Sequence, residues 1–218
     1  MLKFQFDESK DKTIKILCLG AHSDDIEIGC GGAILQLLKK NKRMSFYWVV
    51  FSADRRRKDE ACKSANALLK QTKEKIILIQ NFRDSYFPYI AAEIKEYFQE
   101  LKQAFKPDLI FTHYRHDLHQ DHRLISELTW NTFRDHVILE YEIPKYDGDL
   151  GSPNVFVHLD KDICKKKIKH ILNIFKTQAE NHWFEEDTFL AILRLRGIES
   201  NAPDKYAEAF YSRKVIIG

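Results

Sequence analysis

TIKILCLG (residues 13–20), AHSDDIEIGCGG (21–32) and AILQLLKK (33–40) follow one another, and reading them together decides the fold. The first segment is a short apolar run ending in glycine, as expected of a strand buried on both faces. The second reads as a polar loop closing in glycines. The third reads as a helix, with Ile34, Leu35, Leu37 and Leu38 apolar and two lysines at its end. A strand, a polar turn and a helix in that order open an α/β unit.

The pattern continues along the chain. MSFYWVVF (44–51) is β-branched and aromatic and predicts a second strand. Residues 57–71 form a charged amphipathic helix with Ala61, Ala65, Leu68 and Leu69 on one side. A third strand is expected at 75–79, a helix at 90–105 before Pro107, a fourth strand at 108–113 (DLIFTH) and a helix at 121–133. Another strand fits 152–158. Ile163, Ile168, Ile171, Leu172 and Phe175 make a helical stripe, with Lys165, Lys166 and Lys167 as its solvated flank. EYEIPKYDGDLGSPN (140–154) reads as a long irregular loop over a pocket. The expectation is an α/β, Rossmann-like domain spanning 1–218. It has a mostly parallel sheet with helices on both faces and an active site at the carboxyl ends of the strands.

The bulk numbers suit one such domain. The chain has 218 residues, 44% hydrophobic and 31% charged, with a net charge of +3, too small to argue for nucleic acid. The opening residues are mixed polar and charged and do not read as a signal peptide. No apolar run approaches the ~20 residues that span a bilayer. Cys18, Cys30, Cys62 and Cys164 are scattered without a CxxC pair, which argues against a disulfide framework and suits a cytoplasmic protein.

Two of the expected strand ends carry polar clusters. After the first strand come His22, Asp24, Asp25 and Glu27; after the fourth come His113, His116, Asp117, His119, Asp121 and His122. Charges crowded at a buried strand end need water, partners or a cation. On spacing alone the first cluster is equally a polar loop with capping carboxylates. In the second, His119 and His122 share a helical face or a turn, and Asp121 can orient a ligating imidazole. Across both clusters His22, Asp25 and His122 make a two-His, one-carboxylate set with an open position. That is a catalytic zinc pattern which iron(II) also uses. The glycines 29, 31 and 32 are read as letting the backbone approach a ligand.

At these residues the sequence resembles the PIG-L/LmbE family of zinc-dependent N-deacetylases. Its first motif is AHPDDxExGCGG, here AHSDDIEIGCGG. Its second is HxDH, here HQDH (119–122). A late GxE…YAEAF stretch is matched by Gly197, Glu199 and residues 206–210. Ser23 stands in place of the usual proline. Asp117 stands where some members carry a tyrosine, so that tyrosine's role does not transfer. The resemblance implies zinc on His22, Asp25 and His122, and Asp24 as the base activating a water held there. It also implies His119 stabilising the oxyanion as imidazolium, and Asp121 partnering a histidine. The implied substrate is an N-acetylated amino sugar, sugar conjugate or nucleotide sugar. A homo-oligomer is among the expectations, since related enzymes are often multimeric.

Weaker candidates surround these. One of Arg55, Arg56 and Arg57 is expected to bind substrate, with Arg57 preferred. Asp84 is expected to line the pocket. Tyr86 and Tyr89 fit sugar stacking, and Phe87 fits the core. Arg194 and Arg196 suit substrate or a surface salt bridge. His136, His158, His170 and His182 read as structural, and Cys30 as a packed apolar group. Two other functions compete. One is a nucleotide- or SAM-binding transferase, with Asp54 available to a ribose; its glycines are too far apart for GxGxxG, and two carboxylates repel a pyrophosphate. The other is an amidohydrolase acting on a non-sugar N-acyl substrate.

Overall fold

The computed structural model describes residues 13–40 and 43–216; the polar opening segment, residues 1–12, lies outside them. The elements, in order, are β1 (Ile14–Gly20), α1 (Asp25–Lys40), β2 (Met44–Val50), α2 (Arg55–Leu68), β3 (Glu74–Ile79), a 3-10 turn (Phe87–Ile90) and α3 (Ala91–Ala104). They continue with β4 (Leu109–His113), α4 (Gln120–Thr132), β5 (Val137–Tyr141), β6 (Val155–Leu159), α5 (Lys161–Ile174), a second 3-10 turn (Lys176–Gln178), α6 (Glu186–Glu199) and β7 (Tyr206–Tyr211).

The strands form one sheet in the order β3-β2-β1-β4-β5-β7-β6. The first five are mutually parallel, and β7 runs antiparallel to both β5 and β6. Successive residues of β1 alternate between two cores. Ile16 and Cys18 pack with α1, α2, α5 and α6, and Leu17 and Leu19 pack with α3 and α4. Burial on both faces is why β1 reads as a continuous apolar run and not as an alternating one. The order of strands reverses between β1 and β4, and the crevice beyond their carboxyl ends is where such sheets bind ligands.

Several expectations needed correction. The AHSDDIEIGCGG segment is a loop only to Asp24; α1 begins at Asp25, and its glycines lie inside the helix. They serve packing. A Cβ on Gly29 would sit 2.1 Å from the Tyr141 ring, and one on Gly32 would sit 2.7 Å from Glu208 and Leu159. The solvated flank assigned to Lys165–Lys167 is wrong for Lys167, which is buried. Its Nζ donates to Ile28 O and to Glu208 at 2.5 Å. Glu208 in turn accepts the Gly32 and Ala33 N–H groups at 2.7 and 2.6 Å. A buried ion pair from α5 and β7 is thus built into the backbone of α1, and this places the glutamate of YAEAF in the core.

The sequence reading also missed β5, α6 and β7 as elements. The 140–154 loop begins inside β5, at Glu140 and Tyr141. In α6 the run FLAIL (189–193) carries no helical period. In β7 the Ala–Glu–Ala core has weak strand propensity, and its pairing partners lie far away in sequence. Helix α2 starts two residues earlier than expected, because Asp54 caps it by accepting the Arg57 N–H at 2.9 Å.

Candidate active site

The crevice gathers the two polar clusters. The loop after β1 supplies His22, Asp24 and Asp25. The loop after β4 and the first turn of α4 supply Asp117, His119, Asp121 and His122. The segment after β3 adds Asp84, and the start of α2 adds Arg57. Asp25 Oδ2 accepts the His22 N–H at 2.6 Å, closing the turn into α1. His119 is the N-cap of α4, its Nδ1 accepting the Asp121 N–H at 3.3 Å.

Three side chains point ligand atoms at one spot. His22 Nδ1 lies 3.1 Å from His122 Nε2 and 3.5 Å from Asp25 Oδ2, and His122 Nε2 lies 3.5 Å from Asp25 Oδ1. Zinc–ligand bonds of ~2.0–2.1 Å put neighbouring ligand atoms of a tetrahedron about 3.3 Å apart, so the set matches a small divalent cation. The far nitrogens are engaged as such a site requires. His122 Nδ1 is 2.9 Å from Asp117 Oδ2. His22 Nε2 is 3.3 Å from Asp121 Oδ2 and 3.2 Å from Asp84 Oδ1. Each ring thus turns one nitrogen toward the shared spot and the other toward a carboxylate. His113 lies behind Asp25, its Nε2 accepting the Ala21 N–H at 2.9 Å and standing 3.2 Å from Asp25 Oδ2.

The electrostatics ask for positive charge at this spot. Burial works against the His22 imidazolium but is outweighed by hydrogen bonds to Asp121, Asp25 and Asp84, and the pKa stands well above the ordinary value. Burial also opposes ionisation of Asp25, yet His122 and His113 hold its carboxyl well below the usual range. His122 is pushed down to about 4, by burial first and His113 next, and is neutral. His122 as a neutral imidazole and Asp25 as an ionised carboxylate offer lone pairs to a cation, and the carboxylates around His22 favour positive charge there.

Asp24 differs from its neighbour. It is buried, and burial followed by the charge of Asp25 raises it to about 7. Among the described residues its carboxylate bonds no other side chain. His119 is lowered, by burial first and then by the charge of His22. Its Nδ1 accepts the cap hydrogen bond, which leaves Nε2 as the nitrogen able to donate. Asp121 is fully buried and does more than orient His22. Its carboxylate accepts the Ser85 N–H at 2.7 Å and the Phe87 N–H at 3.1 Å. Ser85 sits at φ 65°, a strained position for a residue other than glycine.

Arg57 Nη1 lies 3.1 Å from Asp84 Oδ2, so an Arg57–Asp84–His22 chain rims the crevice. Arg55 and Arg56 are exposed and make no such contact. Phe87 is buried in the core; Tyr86 and Tyr89 are exposed. Arg196 is buried against Glu142 at 2.7 Å and reaches the partly exposed Glu199 at 2.8 Å, so it forms a salt bridge, as one of its two expected roles had it. His116 is exposed and stands apart against Tyr114. His170 is tied to Ser64, and Cys30 is packed with its Sγ against Ile26 O. Spacing did not reveal the carboxylate link of Asp117 to His122 or the approach of His113 to Asp25; a histidine closing a buried strand was the available signal for the second.

A profile of the family described as PIG-L, GlcNAc-PI de-N-acetylase, matches residues 17–133, more than half of the chain and all of the residues around the three converging ligand atoms. The chain belongs to the PIG-L family. Solved structures agree on the fold. The N,N'-diacetylchitobiose deacetylase of Pyrococcus horikoshii superposes with a TM-score of 0.67 at 21% identity, covering 91% of this chain and 83% of that one. A conserved protein of Thermus thermophilus gives 0.74 at 17% identity, covering 94% and 97%. The 4-carboxy-2-hydroxymuconate hydratase GalB of Pseudomonas putida KT2440 gives 0.66 at 15% identity, covering 94% and 98%. This PIG-L frame thus carries both a deacetylase and a hydratase, and the reaction has to be argued from the site.

Proposed function

We propose that this PIG-L protein is a metal-dependent hydrolase that removes the acetyl group from the nitrogen of an amino sugar or sugar conjugate. The observation that carries the reading is the convergence of His22 Nδ1, Asp25 and His122 Nε2 at separations of 3.1–3.5 Å. These residues would hold zinc, with iron(II) as the alternative of similar ligand preference. Bound there, the cation supplies a Lewis acid and makes hydroxide available near neutral pH.

The remaining work falls to the chain itself. Asp24, set near 7 by burial, takes a proton from the attacking water and returns it to the amide nitrogen as the C–N bond breaks, releasing acetate and the free amine. His119 donates its Nε2–H to the oxygen that gains negative charge. Asp121 fixes His22 and the Ser85–Phe87 backbone. Arg57 and Asp84 present a donor and an acceptor at the rim, suited to sugar hydroxyls or to the phosphate of a nucleotide sugar. The four free cysteines suit a reducing compartment, which we take to be the cytoplasm. Among the described residues no helix is long and apolar enough to cross a membrane.

The transferase reading has less support, since Asp54 is engaged as a helix cap and two carboxylates face the crevice where a pyrophosphate would lie. Metal analysis of the purified chain, paired with acetate release from N-acetylglucosamine, diacetylchitobiose and a nucleotide-linked N-acetyl sugar, decides the matter. About one zinc per chain and chelator-sensitive acetate release establish the reading. Absence of both removes it, and release only from non-sugar N-acyl compounds transfers the site to the amidohydrolase alternative.

A further inference from the structure

One lysine joins the candidate site to a loop that the family match does not include. Lys145, in the segment between β5 and β6, has a nearly buried side chain, 9% exposed. Its ammonium lies 3.0 Å from Asp117 Oδ2 and 2.5 Å from Asp149 Oδ2. The same Asp117 oxygen is the one 2.9 Å from His122 Nδ1. Asp117 Oδ1 accepts the backbone N–H of His119 at 2.8 Å, and Asp149 Oδ2 accepts that of Leu118 at 2.7 Å. Two short bonds therefore clamp the loop to the stretch of chain that carries His119 and His122. Between the two clamp residues the loop turns at Gly148 with φ 63° and exposes Tyr146, and just beyond them it exposes Leu150.

The charges make this clamp depend on the lysine. Asp117 and Asp149 are both nearly buried and both touch Lys145 Nζ. Without the ammonium, two carboxylates confront each other out of water, which is costly. The relief available is release of the loop, which lets water reach Asp117 and compete for His122.

We propose that Lys145 is a positioning residue that couples the loop bearing Tyr146 and Leu150 to His122 and His119, so that grip on the cation and grip on the portion of substrate beyond the acetamido group change together. The inference rests on the function proposed above for the ligand group. Coupling of this kind is reciprocal: cation binding tightens the loop, and a substrate held by the loop tightens the cation. The fitting occupant of the loop side is a second sugar ring, whose C–H face stacks on an exposed tyrosine.

The test uses the full chain with Lys145→Met, which keeps the stem and loses the charge, and Lys145→Arg as rescue. Three quantities are read: zinc affinity by competition with a chromophoric chelator, protease cleavage of the loop with and without zinc, and KM for an N-acetyl monosaccharide against a disaccharide. Lys145→Met is expected to weaken zinc roughly 10- to 100-fold, as loss of a ligand's hydrogen-bonded support does. It should also abolish protection of the loop by zinc and raise KM more for the disaccharide; Lys145→Arg restores all three. Zinc affinity and loop protection unchanged in Lys145→Met overturn the proposal. If Lys145→Met fails to fold, Asp149→Asn cuts the loop half of the clamp and is held to the same outcomes. Loop cleavage and the His122 Nδ1–H proton resonance are also read without metal. A wild-type chain that binds no zinc therefore sinks the metal reading, while the clamp stands or falls on whether Lys145→Met opens the loop and shifts that resonance.

Discussion

His22 Nδ1 and His122 Nε2 meet at 3.1 Å although 100 residues separate them in the chain. One follows β1 and the other opens the helix after β4, and the parallel pairing of those two strands brings them together. His122→Ala is expected to leave a folded chain that retains no stoichiometric zinc through gel filtration. Retention of one zinc per chain in that variant would show the ligand set to be a different one.

Asp24 precedes the proposed ligand Asp25 and is absent from the converging set, and its raised carboxyl suits proton transfer. Asp24→Asn is expected to keep zinc content and lower kcat by about 10²–10⁴-fold, the usual contribution of a positioned acid–base group. Steady-state rates with metal content measured on the same sample check this. Full activity would remove Asp24 from the mechanism.

Helix α1 tolerates no side chain at Gly29, because a Cβ there meets the Tyr141 ring at 2.1 Å. Tyr141 cannot simply turn away, since it is fully buried and its hydroxyl donates to Leu19 O at 2.6 Å. Gly29→Ala is expected to destabilise the fold by about 1–3 kcal/mol, the typical cost of overpacking a core. Urea unfolding reads this as a lower midpoint with an unchanged slope.

The Lys167–Glu208 pair is buried on both sides and also serves two backbone N–H groups of α1. Removing one charge strands the other, so Lys167→Met should cost about 3–5 kcal/mol. Lys165→Met, on the exposed side of the same helix, should cost little. Equal effects from the two variants would contradict the buried pairing.

Stability should also fall in mild acid. Burial holds the His170 imidazole down at about 4, against 6.5 for the free side chain. Between those values the unfolded chain binds the additional proton. The contribution is therefore whole above pH ~6.5 and is lost progressively as pH falls toward 4. His170→Asn should flatten a plot of Tm against pH in that window, and an identical acid limb would exclude His170 as its source.

The sequence by itself determined the α/β class, four of the five parallel strands, and the membership of the crevice: His22, Asp24, Asp25, His119, Asp121 and His122, with Arg57 and Asp84 beside them. These were legible because each rests on local pattern. A doubly buried strand must be apolar throughout, and polar groups cluster where such strands end. Tertiary structure alone decided the remainder. Whether the glycines of α1 face a ligand or a tyrosine depends on Tyr141, more than a hundred residues away. Whether Lys167 is solvated depends on Glu208 in a strand whose own sequence barely favours strand. His119 turns Nδ1 to the helix cap and its pKa is lowered by burial and by His22, and Asp117 became the support of His122 only when β4 turned into α4 and Lys145 closed over it. Local spacing records which chemical groups a chain owns; desolvation and partner charge, which set what those groups do, arise between segments that only folding brings together.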